Sequence, residues 1–248
     1  MLVREAAAVA VSGVIGLALA LVMWRSDDGW QRVFREDFDT PVAVGGFPGP
    51  HYDARWDVYP DGWRDTSEKG IYQPSTVLSV SNGVLDYRLH SADGIPRGAA
   101  VVATLPGYGQ LYGRYSIRFR ADPVAGYGLA CLLWPDSERW PADGEIDFPE
   151  GDLDGTISAY AHHADPKGGK DSFGTTARFG EWHVATTEWS PGRVRFLLDG
   201  RTIGTSTTDV PSAAMHWVCQ AGTNGRTFPA KTDTGHIQID WAVAWARD

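Results

Sequence analysis

Positive charge is scarce in this chain. Its 248 residues include 22 Lys and Arg against 31 Asp and Glu, which gives a formal net charge of −9. No run of basic residues follows residue 30. Nucleic-acid-binding domains usually carry a basic patch or stripe that neutralises phosphates. We therefore expect no nucleic-acid partner, whereas an uncharged substrate is compatible with this balance.

The usual motifs of phosphate, nucleotide and serine chemistry are also missing. The sequence contains neither a Gly-x-Ser-x-Gly elbow nor a P-loop, and Gly107-Tyr108-Gly109 does not extend to a dinucleotide-binding fingerprint. The adjacent His162 and His163 lack the partner spacing of a zinc site. The sequence thus predicts that no cofactor is required.

Cysteine is limited to Cys131 and Cys219, each inside an apolar, strand-like run. An exported protein could join them, but sequence alone does not show whether their Cα atoms come close enough. We expect two buried thiols, with a disulfide as the alternative.

Residues 1–30 differ from the rest of the chain. Ala6 to Trp24 form an apolar run interrupted by one Ser and two Gly, with Arg4 before it and Arg25 after it. This length nearly spans a hydrocarbon core. We predict an apolar helix that is either a retained signal anchor or a cleaved export signal. Residues 31–248 would form one exported, monomeric domain, tethered to the membrane at the cell surface or secreted.

The remaining residues show little helical periodicity. Short alternating or β-branched runs are separated by Gly, Pro, Asn and Asp, the pattern of an all-β sandwich or barrel. The stretch Pro41–Pro74 is the least regular and is predicted to cover one end of a groove. The predicted strands are Thr76–Val80, Val84–Leu89, Ala99–Ala103, Gly113–Phe119, Leu129–Trp134, Glu145–Phe148, Thr156–His163, Trp182–Glu188, Val194–Leu198, His216–Cys219 and His236–Trp245.

Three acids fall within one predicted strand. A period of two places Glu145 and Asp147 on one face and the apolar residues between and after them on the other. Glu150 would point to the wrong face unless one extra residue, a β-bulge, intervenes. Pro149 lies where such an irregularity is expected, because proline cannot donate a ladder hydrogen bond. The sequence therefore predicts a bulged strand that presents all three acids together.

Clustered carboxylates suit the cleavage of glycosidic bonds. Mutual repulsion raises the pKa of at least one acid, and a retaining glycosidase needs one ionised and one protonated carboxyl group. Taken alone, the spacing also fits an acidic strand edge or a calcium loop. A calcium loop would not require apolar residues that alternate with the acids.

The same stretch resembles the catalytic strand of glycoside hydrolase family 16, in its laminarinase-like form. This resemblance implies a concanavalin-like β-jelly-roll sandwich of two antiparallel sheets, with Glu145 as nucleophile, Glu150 as acid/base and Asp147 as the assisting residue. The similarity covers about residues 31–248. It rests on Trp140-Pro141, Gly144–Asp147, Glu150, Val33–Phe38, Tyr112–Arg118, Trp182-His183, Glu188-Trp189, Leu198–Gly200 and Gln238–Trp241.

Further site residues are predicted around the acids. Trp134 and Trp140 are candidates to stack on a sugar ring, with packing at the groove rim as the alternative. The resemblance implies that either His162 or His163 faces the groove near the acids, and we expect His162, with a surface histidine as the alternative. It also implies that Glu36 and Asp240 hold a structural calcium on the opposite side of the fold, since calcium prefers oxygen ligands.

The expected function is retaining, endo-acting hydrolysis of a β-1,3 or mixed β-1,3/1,4 glucan by double displacement. Two alternatives share the fold. One is a polysaccharide-binding protein without activity. The other is an envelope transglycosylase that uses a sugar acceptor in place of water.

Overall fold

The computed structural model describes residues 29–247. The predicted N-terminal apolar helix lies outside these residues. Between residues 29 and 247, no helix is long and apolar enough to cross a membrane. Two short helices occur in this part of the chain, α1 (Gly49–Tyr52) and α2 (Pro74–Val77). The strands are β1 Trp30–Glu36, β2 Trp56–Val58, β3 Ile71–Tyr72, β4 Leu78–Ser81, β5 Val84–Ala92, β6 Ile95–Ala103, β7 Gly113–Ala121, β8 Tyr127–Pro135, β9 Glu145–Asp152, β10 Thr156–His162, β11 Lys170–Arg178, β12 His183–Ser190, β13 Arg193–Leu198, β14 Arg201–Ser206, β15 Met215–Thr223 and β16 Gly235–Arg247.

The strands form two layers, which confirms the all-β sandwich prediction. The outer sheet has the order β4-β5-β16-β7-β12-β13-β14, and β1 pairs with the second half of β16. The groove sheet has the order β6-β15-β8-β9-β10-β11, with β2 on the other side of β6. These pairs are all antiparallel, and the β5–β6 hairpin passes from one sheet to the other.

A single core separates the two sheets. Ile146 and Phe148 of β9 are buried in it, as predicted. Phe148 meets Phe196 of the outer sheet edge to face, with ring centroids 5.6 Å apart. Aromatic pairs in this geometry stabilise a core beyond the area they bury. The opposite face of β9 is thereby left to line the groove.

The observed elements differ from the predicted ones where local chemistry competes with the apolar pattern. The predicted strand Thr76–Val80 begins instead as helix α2, with Pro74 in its first turn, and β4 starts only at Leu78. Proline is well tolerated in the first turn of a helix. Strands β11 and β14 were not predicted, because both are rich in polar residues and lack a strong apolar alternation.

Cys131 and Cys219 form a disulfide, so the expectation of two thiols was wrong. The two residues lie directly opposite each other on neighbouring strands β8 and β15. Their register depends on long-range pairing between segments 88 residues apart, and a sequence pattern does not reveal such a register.

We predict that reduction of this disulfide lowers the thermal stability. A closed loop of this length constrains the unfolded chain, and its loss should lower Tm by roughly 5–15 °C. Calorimetry with and without reductant measures the effect, and the Cys131→Ala/Cys219→Ala variant, which should not respond to reductant, is the control. Two titratable thiols in denatured, unreduced protein would contradict the assignment.

Candidate active site

The backbone of β9 contains the predicted bulge. Asp147 is paired with Tyr160 of β10, and Glu150 is paired with Ser158. Two residues of β9 therefore face one residue of β10, and the register with β8 shifts at the same place. The extra residue restores Glu150 to the face that carries Glu145. Both acids line the groove.

Asp147 is the most buried of the three acids, with 2% of its surface exposed. Its Oδ2 lies 3.1 Å from His162 Nε2, and its carboxyl group lies close to that of Glu145. Within residues 29–247, neither of its oxygens has a hydrogen-bond partner of good geometry. Burial raises the pKa of Asp147 well above its usual range, and the nearby Glu150 carboxylate adds to the rise.

The other two acids also bind protons tightly. Burial raises the pKa of Glu145 to about 8, with a further contribution from Asp147, while His162 and a hydrogen bond from Trp140 act in the opposite direction. Burial likewise raises the pKa of Glu150, and Glu145 adds to it. Three full negative charges therefore do not coexist here near neutral pH. At least one carboxyl group of the cluster therefore keeps a proton near neutral pH, and acid-assisted cleavage requires such a group.

His162 lies within this cluster, as the sequence predicted. Burial lowers its pKa, so the imidazole is neutral near pH 7. Ligand atoms of Glu145, Asp147 and His162 all lie within 4.8 Å of one another, which makes them the metal-capable group in the described part of the chain.

The two predicted sugar-binding tryptophans stand side by side next to the acids. The rings of Trp134 and Trp140 are nearly parallel, at 13°, with centroids 6.4 Å apart. The indole N–H of Trp134 donates to Glu138, 2.8 Å away, and the indole of Trp140 lies close to Glu145. Trp140 is 48% exposed. Both rings line a groove region of about 480 Å³, so their aromatic faces are available to a ligand.

Glu36 and Asp240 do not belong to the group of candidate metal ligands in the described part of the chain, and the calcium site stays a prediction. The carboxylate of Glu36 pairs with Arg55, 2.7 Å away, and accepts hydrogen bonds from the backbone N–H groups of Asp37 and Phe38. Asp240 pairs with Arg118. Calcium takes six to eight oxygen ligands. In this structure an arginine side chain, not a calcium ion, pairs with each of the two carboxylates. These pairings of distant residues could not be read from the sequence.

Several groove residues were missed by sequence reasoning. The Pro41–Pro74 stretch does border the groove, and it contributes Tyr59, Trp63 and Tyr72. Tyr72 is buried, and its hydroxyl donates to Gln220 of β15, 2.9 Å away. A high aromatic content was the available signal for these residues. Lys170 belongs to the unpredicted strand β11 and had no such signal.

A two-sheet β-sandwich with an aromatic groove and a proton-sharing row of acids defines a glycoside hydrolase. The chain belongs to glycosyl hydrolases family 16, whose family model matches residues 75–243. Family membership confirms the resemblance inferred from the β9 motif and its neighbouring strands. No curated protein sequence matches the chain.

Solved structures share the fold at low sequence identity. A non-specific endo-β-1,3(4)-glucanase of family 16 is 17% identical, with a TM-score of 0.70, covering 91% of this chain and 94% of its own. The laminarinase catalytic domain of Thermotoga maritima is 19% identical, with a TM-score of 0.68 and coverages of 89% and 99%. A glycoside hydrolase family protein from Mycobacterium thermorestibile is 21% identical, with a TM-score of 0.69 and coverages of 86% and 99%.

We predict that Asp147→Asn stabilises the fold above about pH 4. The raised pKa means that the unfolded chain releases this proton at a lower pH than the folded protein does. The contribution of Asp147 to stability therefore falls as pH rises towards its folded pKa. An uncharged amide removes this cost. Calorimetry should find the variant more stable than the wild type by roughly 2–8 °C in Tm at pH 8, with the gap closing towards pH 4.

The exposed Asp154 supplies the matched control. The Asp154→Asn variant should follow the wild type at every pH. A stability gap between Asp147→Asn and the wild type that grows as pH falls would contradict this account of the cluster.

Proposed function

We propose that this family 16 protein is a retaining, endo-acting hydrolase of β-1,3 or mixed β-1,3/1,4 glucans. The observation that carries the proposal is the bulge in β9. It brings Glu150 to the groove face beside Glu145, next to a pair of parallel tryptophan rings. Two carboxyl groups on one face, one protonated and one ionised, are the requirement of double displacement.

In the first step, Glu150 protonates the glycosidic oxygen while Glu145 attacks the anomeric carbon. The leaving sugar departs as an alcohol, and a glycosyl–Glu145 ester forms. In the second step, Glu150 removes a proton from water, and the water displaces Glu145 with overall retention. Asp147 keeps the shared proton during attack, because it is the most buried acid and gains least from ionisation. Its hydrogen bond then holds Glu145 in place.

Two observations support a β-glucan backbone and internal cleavage. The structural neighbours include an endo-β-1,3(4)-glucanase and LamA from Zobellia galactanivorans, solved with laminaritriose and laminaritetraose. The groove also continues on both sides of the acids, with Glu145 lining one part and Glu150 the other. Such a groove accommodates a chain that extends past the cleaved bond in both directions.

We further propose that the protein is exported and monomeric, anchored by the apolar segment at residues 6–24 or released from it. The Cys131–Cys219 disulfide supports an oxidising compartment. Neither a cofactor nor calcium has a part in the proposed reaction.

Glu145→Gln should lower kcat on laminarin by at least about a thousandfold, because the amide cannot form the covalent ester. Reducing-end release measures the rate, and retention of the β-anomer by NMR in the wild type checks the stereochemistry. Glu181→Gln, at an exposed turn before β12, serves as the matched control and should keep wild-type turnover. Products longer than the substrate would instead indicate transglycosylation.

Azide separates the roles of the two acids. The substrate is an aryl β-laminaribioside whose leaving group needs no protonation, so the covalent intermediate still forms in Glu150→Ala. Azide should then rescue this variant and give the β-glycosyl azide. Glu145→Ala should give the α-glycosyl azide by direct attack. The reverse assignment of products would show that the two roles are exchanged.

A further inference from the structure

The groove has two halves of different chemistry, one on each side of the acids. The aromatic half, about 480 Å³, includes Trp134, Trp140 and Glu145. The polar half, about 400 Å³, includes Glu150 and shares Tyr72 with the aromatic half. It also includes four further charged or aromatic side chains that the proposed function leaves unused. These are Asp152, Tyr160, Lys170 and Arg226.

The positions of Glu145 and Glu150 indicate which half of the groove binds the leaving sugar. The acid that protonates the glycosidic oxygen stands beside the leaving sugar, whereas the nucleophile approaches the anomeric carbon from the other side. Glu150 lines the polar half and Glu145 lines the aromatic half. On the roles given under the proposed function, the polar half is therefore the leaving-group half.

The charges in the leaving-group half are not all paired. Arg226 pairs with Asp152 through both carboxylate oxygens. The ammonium of Lys170 lies over the ring of Tyr160, 4.2 Å from its centroid. Within residues 29–247, it has neither a carboxylate within salt-bridge distance nor a hydrogen-bond acceptor. Its three N–H donors are thus unpaired, although its positive charge lowers the pKa values of Asp147 and Glu150 from a distance.

Tyr160 keeps this ammonium in the groove. The tyrosine is the direct cross-strand partner of Asp147, so its ring adjoins the acids, and the attraction between a cation and an aromatic face favours the position of Lys170 above it. A neutral sugar that stacked on Tyr160 would have to displace the ammonium. A sugar with a negative group would instead pair with it.

We propose that the leaving-group half binds a sugar that carries an anionic substituent, a carboxylate or a sulfate ester, and that Lys170 is the residue that selects it. The aromatic half accepts neutral sugar rings. The preferred substrate is then a glucan-like polysaccharide in which some residues are acidic.

Binding to the Glu145→Gln variant tests this without turnover. The ligands are laminari-oligosaccharides of one length, either unmodified, oxidised at C6 to glucuronate, or sulfated. Calorimetry at low salt should show about two- to fivefold tighter binding of an acidic ligand than of the neutral one, the scale of a single exposed ion pair. The preference should shrink in 0.5 M NaCl.

The Lys170→Met change, added to Glu145→Gln, should bring the ratio of affinities to about one, and Lys170→Arg should retain part of it. Lys231→Met, on an exposed lysine near the β5–β6 turn, is the control and should keep the full preference. A carboxylate-only or sulfate-only preference that depends on Lys170 identifies the group. Equal affinities, or a preference that persists in Lys170→Met, would overturn the inference.

The two proposals fail separately. If the wild type hydrolyses laminarin but shows no charge preference in binding, the proposed function stands and the role of Lys170 falls. If the Lys170-dependent preference appears without any hydrolysis by the wild type, the anionic site stands and the enzymatic role of Glu145 falls.

Discussion

One extra residue in β9 is the constraint on which the site depends. Without it, the period of two would turn Glu150 into the core and leave Glu145 with Asp147 as the only other acid of β9 on the groove face. The core face of β9 stabilises the bulge, because Phe148 packs against Phe196 of the outer sheet and Ile146 is also buried. The same residues that close the core therefore fix the position of the acids.

Burying three acids side by side lowers the stability of the fold, but it supplies the protonated carboxyl group that the reaction needs. Each of the three acids is driven towards its neutral form by burial, and the folded protein bears that cost at neutral pH. The cost falls on the strand between β8 and β10, in the middle of the groove sheet. The disulfide joins β8, the neighbour of β9, to β15. The sheet is therefore cross-linked close to the strand on which the buried acids lower stability.

The parts of the site that were predictable from sequence are those encoded locally. The alternation around Glu145, the proline at position 149 and the β-propensity of the main strands were sufficient for the sandwich and the bulge. The Cys131–Cys219 pair and the pairing of Asp240 with Arg118 depend on register between strands that are distant in sequence. The placement of Lys170 over Tyr160 depends on the pairing of the consecutive strands β10 and β11. Polar edge strands such as β11 carry little apolar signal, so the polar half of the groove was not foreseen.

The central claim is that Glu145 forms the covalent bond to the sugar while Glu150, beside it on the groove face of β9, acts as the acid/base. A 2-deoxy-2-fluoro-β-laminaribioside with a good leaving group slows hydrolysis of such an intermediate, and peptide mass spectrometry then locates the label. The account predicts one sugar adduct on the peptide that contains Glu145, at the Glu145 carboxylate. An adduct on Glu150, or turnover with inversion and no adduct, would contradict it.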